Sequence, residues 1–361
     1  MATKTKRSRN GDAKAKRFDV YRIVTDKVRE MLKKGVAPWR KSWKMLGVGG
    51  GFPCNLRSKK DYRGVNIMIL AMESMFKGYQ SKYWVTFNQA KELAGYERKE
   101  ITIKKGKRSW LKKIWVWPEA KGGKAADPHH GVKKGEKGTQ VVFFRFRDWE
   151  TEDEGGNEVT KRIPLLRYYT VFNLDQTIGL KVPKDELADA MEVVPEMEPI
   201  RAAELLLQES VAQPTVGHGG DSAYYQVRND HVQLPEKNQF EDAEAYYSTR
   251  FHELGHSTGH ESRLARDEVL TATFFGSEDY SREELVAEFT AAYLCSIAGI
   301  ENSRTIENSA AYLQHWIKKL DENPKWIVSA AAAAQKATDY ILGVQFDDGN
   351  ENGEESNGQD S

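Results

Sequence analysis

Apolar residues recur three and four positions apart in the first ordered-looking stretch of the chain. From Phe18, F-D-V-Y-R-I-V-T-D-K-V-R-E-M-L-K-K-G places Val20, Ile23 or Val24, Val28, Met31 and Leu32 on one side of a helix, the period expected of an amphipathic helix. Gly35 is its C-cap and Pro38 confirms the stop. Further helical patterns run from about Val65 to Phe76 and from Phe87 to Leu93. The pattern then changes to aromatic and β-branched runs at 109–117 (SWLKKIWVW), 139–147 (TQVVFFRFR) and 165–172 (LLRYYTVF), which predict strands. The polar WETEDEGGNEVTKR between the last two reads as a long hairpin tip. In F-F-R-F-R, alternation sends Phe144 and Phe146 to one face and Arg145 and Arg147 to the other. One sheet face is therefore expected to be buried and the other basic.

Residues 181–200 contain three Pro and six acids, and read as a linker. Beyond it the pattern predicts a helix near 201–212, short strands at 223–227 and 231–234, and long helices near 241–258, 281–298, 304–320 and 323–342. The expected organisation is α+β in two domains: a basic arm over 1–17, a first domain over 18–178, a linker over 179–200, a second domain over 201–345 and an acidic tail over 346–361. The arm and the tail have too little apolar surface to fold. No internal repeat is present.

The 361 residues fit two domains of ordinary size, and 11% aromatics argue against a disordered chain. No uncharged stretch approaches the roughly 20 residues that a membrane span needs, so no membrane partner is expected. The start has charge with no apolar region behind it, unlike a secretory leader. Cys54 and Cys295 form no CxxC pair, which points to a reducing cytoplasm. The net charge of +1 hides a split: residues 1–150 hold 37 basic and 14 acidic side chains, the rest 17 and 39, so the halves carry +23 and −22. Seven of the nine Trp also lie in the basic half. Two modules with different partners follow.

The sharpest chemical signal is His252-Glu253-Leu254-Gly255-His256. Positions i and i+4 share a helix face, so both imidazoles can bind one Zn²⁺, or another divalent metal, at about 2.0–2.1 Å. Glu253 stands beside the metal, where it can take a proton from a water that zinc brings to a pKa of about 7. HExxH is short enough to arise by chance, so the third ligand matters. A metzincin needs a His six residues beyond His256, and that position is Ser262, although Gly259 fits. A Glu from a later helix is the alternative, and S-R-E-E-L-V-A-E-F-T-A-A-Y-L supplies it. Glu284 is assigned as ligand and Glu288, one turn on, as the partner that orients a ligating His, with Glu283 the weaker candidate for the ligand. His260 is a cap or substrate contact. Ordinary surface residues would not bring these elements together in order; a structural metal without catalysis is the stronger rival.

In the basic half, Trp39-Arg40-Lys41-Ser42-Trp43 interleaves aromatics with cations, and Arg57, Lys59, Lys60, Tyr62 and Arg63 repeat the mixture. Lys112-Lys113-Ile114-Trp115-Val116-Trp117 does so again, and Lys133, Lys134, Lys137, Arg145 and Arg147 add cations. Cations follow a phosphate backbone, and exposed rings stack on unpaired bases at about 1–3 kcal/mol each. Single strands suit this mixture better than duplex, and no helix-turn-helix or zinc-finger spacing is present. Any one Trp is more often core than platform. Trp84, Phe87 and Trp149 are read as core, and Trp39 and Trp43 fit either role.

These motifs together resemble the ArdC-type antirestriction proteins of mobile elements. The resemblance spans roughly residues 18–345 and rests on V-T-D-K-V-R-E-M-L-K-K-G-V-A-P-W-R-K-S-W, P-C-N-L-R-S-K-K-D-Y-R-G-V-N, W-V-T-F-N-Q-A, V-K-K-G-E-K-G-T-Q-V-V-F-F and V-F-N-L-D-Q-T-I-G-L. In the second half it rests on F-H-E-L-G-H-S-T-G-H-E-S-R-L, Y-S-R-E-E-L-V-A-E-F and Y-L-Q-H-W-I. It implies an N-terminal single-stranded-DNA-binding domain, a mainly helical zincin-like metallopeptidase domain with a small sheet, and protection of incoming DNA from restriction. The chain departs from the pattern in carrying about 30 residues, KKGKRSWLKKIWVW among them, between A-G-Y-E-R-K and G-V-K-K-G-E-K-G.

The expectation is a cytoplasmic zinc-dependent peptidase tethered to a single-stranded-DNA-binding module, with a protein substrate that could be a DNA-bound host protein. The strand near Ala223–Gln226 or His231–Leu234 could pair with an extended substrate. The competing class is a DNA-binding shield whose metal domain is structural or recruits a partner.

Overall fold

The computed structural model describes residues 20–40, 52–105, 108–117, 129–152, 158–180, 199–271, 278–300 and 310–345. The basic arm, most of the linker and all of the acidic tail lie outside these residues, as do Lys41 and Trp43.

The amphipathic pattern at the start forms α1 (Val20–Lys33), and a short 3₁₀ turn follows at Pro38–Arg40. Gly35 takes φ 82°, the left-handed backbone that a residue after a helix needs and glycine reaches without strain. Next come β1 (Cys54–Asn55), α2 (Val65–Lys77), β2 (Tyr83–Thr86) and α3 (Phe87–Ala94). Thr86 and Gln89 form a reciprocal cap that starts α3 immediately after the strand.

The hairpin β3 (Glu97–Lys105) and β4 (Arg108–Val116) pairs only with itself. Its first strand, rich in Lys and Glu, carries no sequence signal of its own and was not expected. After β5 (Gly131–Val132) come β6 (Thr139–Glu152) and β7 (Glu158–Asn173), paired antiparallel from Thr139↔Val171 to Glu152↔Glu158. The expected hairpin tip is thus mostly strand, because a ladder of backbone hydrogen bonds continues past the sheet once it is in register. The main sheet has the order β1-β2-β7-β6, and β8 (Thr177–Ile178) pairs with β5.

The second half opens with α4 (Pro199–Glu209). A small sheet of β9 (Thr215–His218), β10 (Tyr224–Gln226) and β11 (His231–Leu234) follows in the order β10-β11-β9. Five helices complete it: α5 (Ala243–Ser257), α6 (Asp267–Thr271), α7 (Glu278–Ala298), α8 (Ala310–Glu322) and α9 (Trp326–Ile341). The architecture is α+β.

The two halves share a core. Val24, Val28, Met31 and Leu32 of α1 and Ile67, Met68 and Ile69 of α2 belong to one buried cluster with Leu285, Phe289 and Tyr293 of α7, Trp316 of α8 and Ile327 and Ala331 of α9. Trp39 sits at its centre, fully buried, with its ring edge-on to Phe289 at 5.5 Å and to Trp316 at 5.8 Å. Polar contacts cross the same seam: Thr25 Oγ1 donates to Pro324 O at 2.6 Å, and Tyr293 Oη to Gly64 O at 3.1 Å. Arg29 pairs with Asp321 at 2.6 Å, and Arg63 pairs with Asp339. The expected tether is therefore accompanied by a packed interface.

Candidate metal centre

Helix α5 begins at Asp242, whose side chain caps Ala245 N at 2.7 Å, and ends at Ser257, short of His260. Its C-terminal half crosses α7 closely. A Cβ on Gly255 would lie 3.2 Å from Ala287 Cα and 3.2 Å from Thr290 Cβ, so the glycine of H-E-L-G-H lets the two helices approach. That approach brings His252 and His256 of α5 to Glu284 of α7.

The ligand atoms converge. His252 Nε2 and His256 Nε2 are 3.1 Å apart, Glu284 Oε2 is 3.6 Å from the first, and Glu284 Oε1 is 3.4 Å from the second. Ligands at about 2.0–2.1 Å from a tetrahedral ion stand about 3.3 Å from one another. Two imidazoles and a carboxylate at these separations fit a divalent metal, and they are the only such group of three among the described residues.

Glu283, rather than Glu288, meets the back of His256: Oε1 lies 3.2 Å from Nδ1. Arg266 grips Glu283 with Nε on Oε2 at 2.9 Å and Nη2 on Oε1 at 2.5 Å, and Nη1 donates to Thr258 Oγ1 at 2.6 Å. With Nδ1–H engaged, the Nε2 lone pair of His256 faces the other ligands. Glu288 is buried one turn further along α7.

Burial disfavours the charged form of His256, yet its hydrogen bonds to Glu283 and Glu284 outweigh burial and hold the pKa well above the usual histidine range. His252 is raised too, burial again being outweighed by the hydrogen bond to Glu284. Burial opposes ionisation of Glu284, but the two imidazoles win and its pKa is lowered. The acids favour positive charge at the two imidazoles, and a cation at the centre would take the place of the imidazole protons.

Glu253 is buried in the same helix, between the two histidines in sequence. Tyr280, in the first turn of α7 and four residues before Glu284, hydrogen-bonds Glu284. Burial, then the Glu284 and Glu253 charges, raise its pKa and keep it a neutral phenol. Neither Tyr280 nor Arg266 stands out in sequence, because their place depends on how α7 meets the turn after α5. His260 lies away from the cluster, its Nδ1 2.8 Å from Ser262 Oγ.

The small sheet is tied to this turn. Arg263 donates to Asp230 at 2.9 and 2.5 Å and to Ser257 O at 2.8 Å, while Tyr225 Oη donates to Asp230 at 2.8 Å. Strand β11 is flanked on both sides, so His231–Leu234 cannot receive an added strand, whereas Tyr224–Gln226 lies at an edge.

The residues expected at DNA are scattered in role. Trp39 is core, and a ring enclosed between Phe289 and Trp316 offers no face to a base. Tyr62 is buried as well, and Arg63 is committed to Asp339. These three are corrected from DNA contacts to packing and inter-module contacts. Arg57 is exposed and paired with Glu92; Lys59 lies over the Tyr83 ring at 5.3 Å. Lys133, Lys134 and Lys137 are exposed on one loop before β6, with Lys133 Nζ donating to Asp175 O at 2.7 Å. The side chains of Arg40, Arg145 and Arg147 lie outside the described residues.

Two family models divide the chain: an N-terminal domain of the anti-restriction factor ArdC over 18–172 and a zincin-like metallopeptidase domain over 201–333. Together they define an ArdC-type domain joined to a zincin-like one. The metal-free crystal structure of the antirestriction ArdC protein from plasmid R388 is 30% identical, with 91% of this chain and 100% of that one covered at a TM-score of 0.61. A Mn(II)-bound structure of that protein also matches at 30% identity and TM-score 0.61, over 90% of this chain and 98% of that one. The protein y4eC of Sinorhizobium fredii (strain NBRC 101917 / NGR234) is 32% identical over 91% of this chain and 93% of its own length. The chain belongs to the ArdC antirestriction family. A DNA primase TraC of Escherichia coli is 33% identical over 89% of this chain, which spans only 27% of that primase. No helix among the described residues is long and apolar enough to cross a membrane.

Proposed function

We propose that this protein is a metal-dependent peptidase of the antirestriction type, which binds single-stranded DNA through its basic half and protects incoming DNA in the cytoplasm. The observation that carries the reading is the convergence of His252, His256 and Glu284 within 4.8 Å of one another on two packed helices, with Glu253 beside them. These three residues would hold the ion. Zinc is the expected metal from the donor set, and manganese is supported by the Mn(II)-bound relative.

A divalent ion there supplies a Lewis acid for a peptide carbonyl and lowers the pKa of water towards neutrality. Glu253 accepts the proton of the attacking water and returns it to the leaving amine. Tyr280, a neutral phenol, spends its one O–H on Glu284 and so holds that carboxylate in place. Glu283 and Arg266 hold His256 in register. The edge strand Tyr224–Gln226 offers unpaired backbone on which to align an extended substrate. A protein bound to DNA suits such a substrate, since the −22 half is repelled by phosphate and faces what lies beside the strand.

The test compares Glu253→Gln with wild type for metal content, proteolysis of DNA-bound proteins and protection of unmodified DNA. The variant should keep its ion, lose hydrolysis and lose protection. If it retains its ion and protects as wild type does, the protein is a shield and not a peptidase in that role.

A further inference from the structure

Among the described residues the β3–β4 ribbon pairs with no other strand, and its composition is unusual for a surface hairpin. Two paired strands alone are marginal in water, yet this pair presents Trp110 at 46%, Leu111 at 67% and Ile101 at 39% exposure. Its base is anchored. The Trp117 ring meets Tyr96 at 5.0 Å and His130 at 6.0 Å, and Trp115 Nε1 donates to Asn88 Oδ1 at 3.2 Å. The remainder projects as an arm paired only with itself.

The register separates two faces with different chemistry, because opposed residues point the same way. On one face Lys113 pairs with Glu100 at 3.4 Å and Arg98 lies over the Trp115 ring at 5.7 Å, with Leu111 opposite Thr102 and Lys104 opposite Ser109 further out. On the other, Lys99 is opposite Ile114, Ile101 opposite Lys112 and Ile103 opposite Trp110. On this face Lys99 and Lys112 therefore have aliphatic groups, not acids, across the ladder, and at the far end Lys105 stands opposite Arg108. Its one acid, Glu97, stands at the base opposite Val116. In all, the two strands hold seven Lys or Arg against two Glu.

We infer that the face of the ribbon bearing Lys99, Ile101, Ile103, Trp110 and Lys112 is a separate binding site for single-stranded DNA, with Trp110 as a stacking platform and the two lysines on phosphates. The inference rests on the DNA-binding reading above and gives it a location. Charge complementarity selects the occupant. A seam-forming protein partner would leave these lysines buried against apolar groups, whereas a nucleic acid meets cation and ring together. The arm also explains how the basic half can bind DNA although Trp39 and Tyr62 are core.

The experiment uses the full chain and a fluorescein-labelled oligothymidylate, with anisotropy read across a salt series. Trp110→Ala should weaken binding by about tenfold and Trp110→Phe should restore most of it. Lys99→Glu with Lys112→Glu should lower the slope of log affinity against log salt by about 1.4, the value for two lost contacts on a single strand. Circular dichroism and metal content should be unchanged in all of them. Wild type that binds while every ribbon variant binds equally well overturns the ribbon site and leaves the general reading standing. Wild type that does not bind overturns both. Ribbon variants that bind DNA normally but change the sedimentation coefficient would assign this face to a second copy of the chain and overturn the inference.

Discussion

His256 shows how much of this site is decided by single contacts. Nε2 faces His252 and Glu284, and Nδ1 is fixed by Glu283, itself fixed by two nitrogens of Arg266. The pair of histidines was legible in sequence, because spacing of four on a helix leaves one geometry. Glu284 was legible as a carboxylate on a packed helix. The orienting partner was not: Glu283 and Glu288 differ by the rotation of α7 about its axis, and the residue that settles it, Arg266, comes from a turn with no periodic signal. An orienting chain of this kind supports metal affinity by 10–100-fold in general. Arg266→Ala and Glu283→Gln should each weaken binding of zinc by about that factor, measured by competition with a chromophoric chelator, while the far-ultraviolet dichroism stays that of wild type. Affinity equal to wild type in both variants would remove Glu283 and Arg266 from the site.

Between elements, the decisive feature is the close crossing of α5 and α7. Alanine in a helix interior is favoured over glycine by about 1 kcal/mol, so Gly255 is retained at a cost unless something forbids a side chain. Ala287 Cα at 3.2 Å crowds it, and a backbone atom has no rotamer to relieve the contact, so α7 itself must give by a few tenths of an ångström. Overpacking of this kind costs about 1–3 kcal/mol, which exceeds the propensity gain. Gly255→Ala should therefore lower the Tm and loosen metal binding together, by calorimetry and chelator competition on one preparation. A raised Tm with unchanged metal affinity would show that the helices yield freely. Most elements were legible for the same reason the crossing is tight: apolar periodicity marks α1, α2, α5, α7 and α9, whose faces are buried. Strand β3 was not legible, since E-R-K-E-I-T-I-K-K owes its conformation to its partner β4 rather than to a buried face.

At the scale of the whole molecule, a split of +23 and −22 points to two modules with different partners, and the two modules share a buried core. Charge is a surface property and reports partners; it says nothing about which apolar faces meet. The apolar stripe of α1 was read correctly as buried, but its partner could not be read, because α8 and α9 lie roughly 300 residues away in sequence. Trp39 carries the consequence. Its ring is enclosed by Phe289 of the ligand-bearing helix and by Trp316, so replacing it leaves a cavity against α7 at Phe289. Trp39→Ala should cost about 3–5 kcal/mol and should lower the stability of both halves at once. A calorimetric trace of the full chain should show a single transition, displaced to lower temperature in the variant. Residues 18–178 expressed alone should expose the buried faces of α1 and α2 and aggregate or bind a hydrophobic dye, where an independent domain would give a sharp unfolding transition. Such a transition in the isolated fragment, at the temperature of one phase of the full chain, would show that the shared core is dispensable and that the modules fold apart.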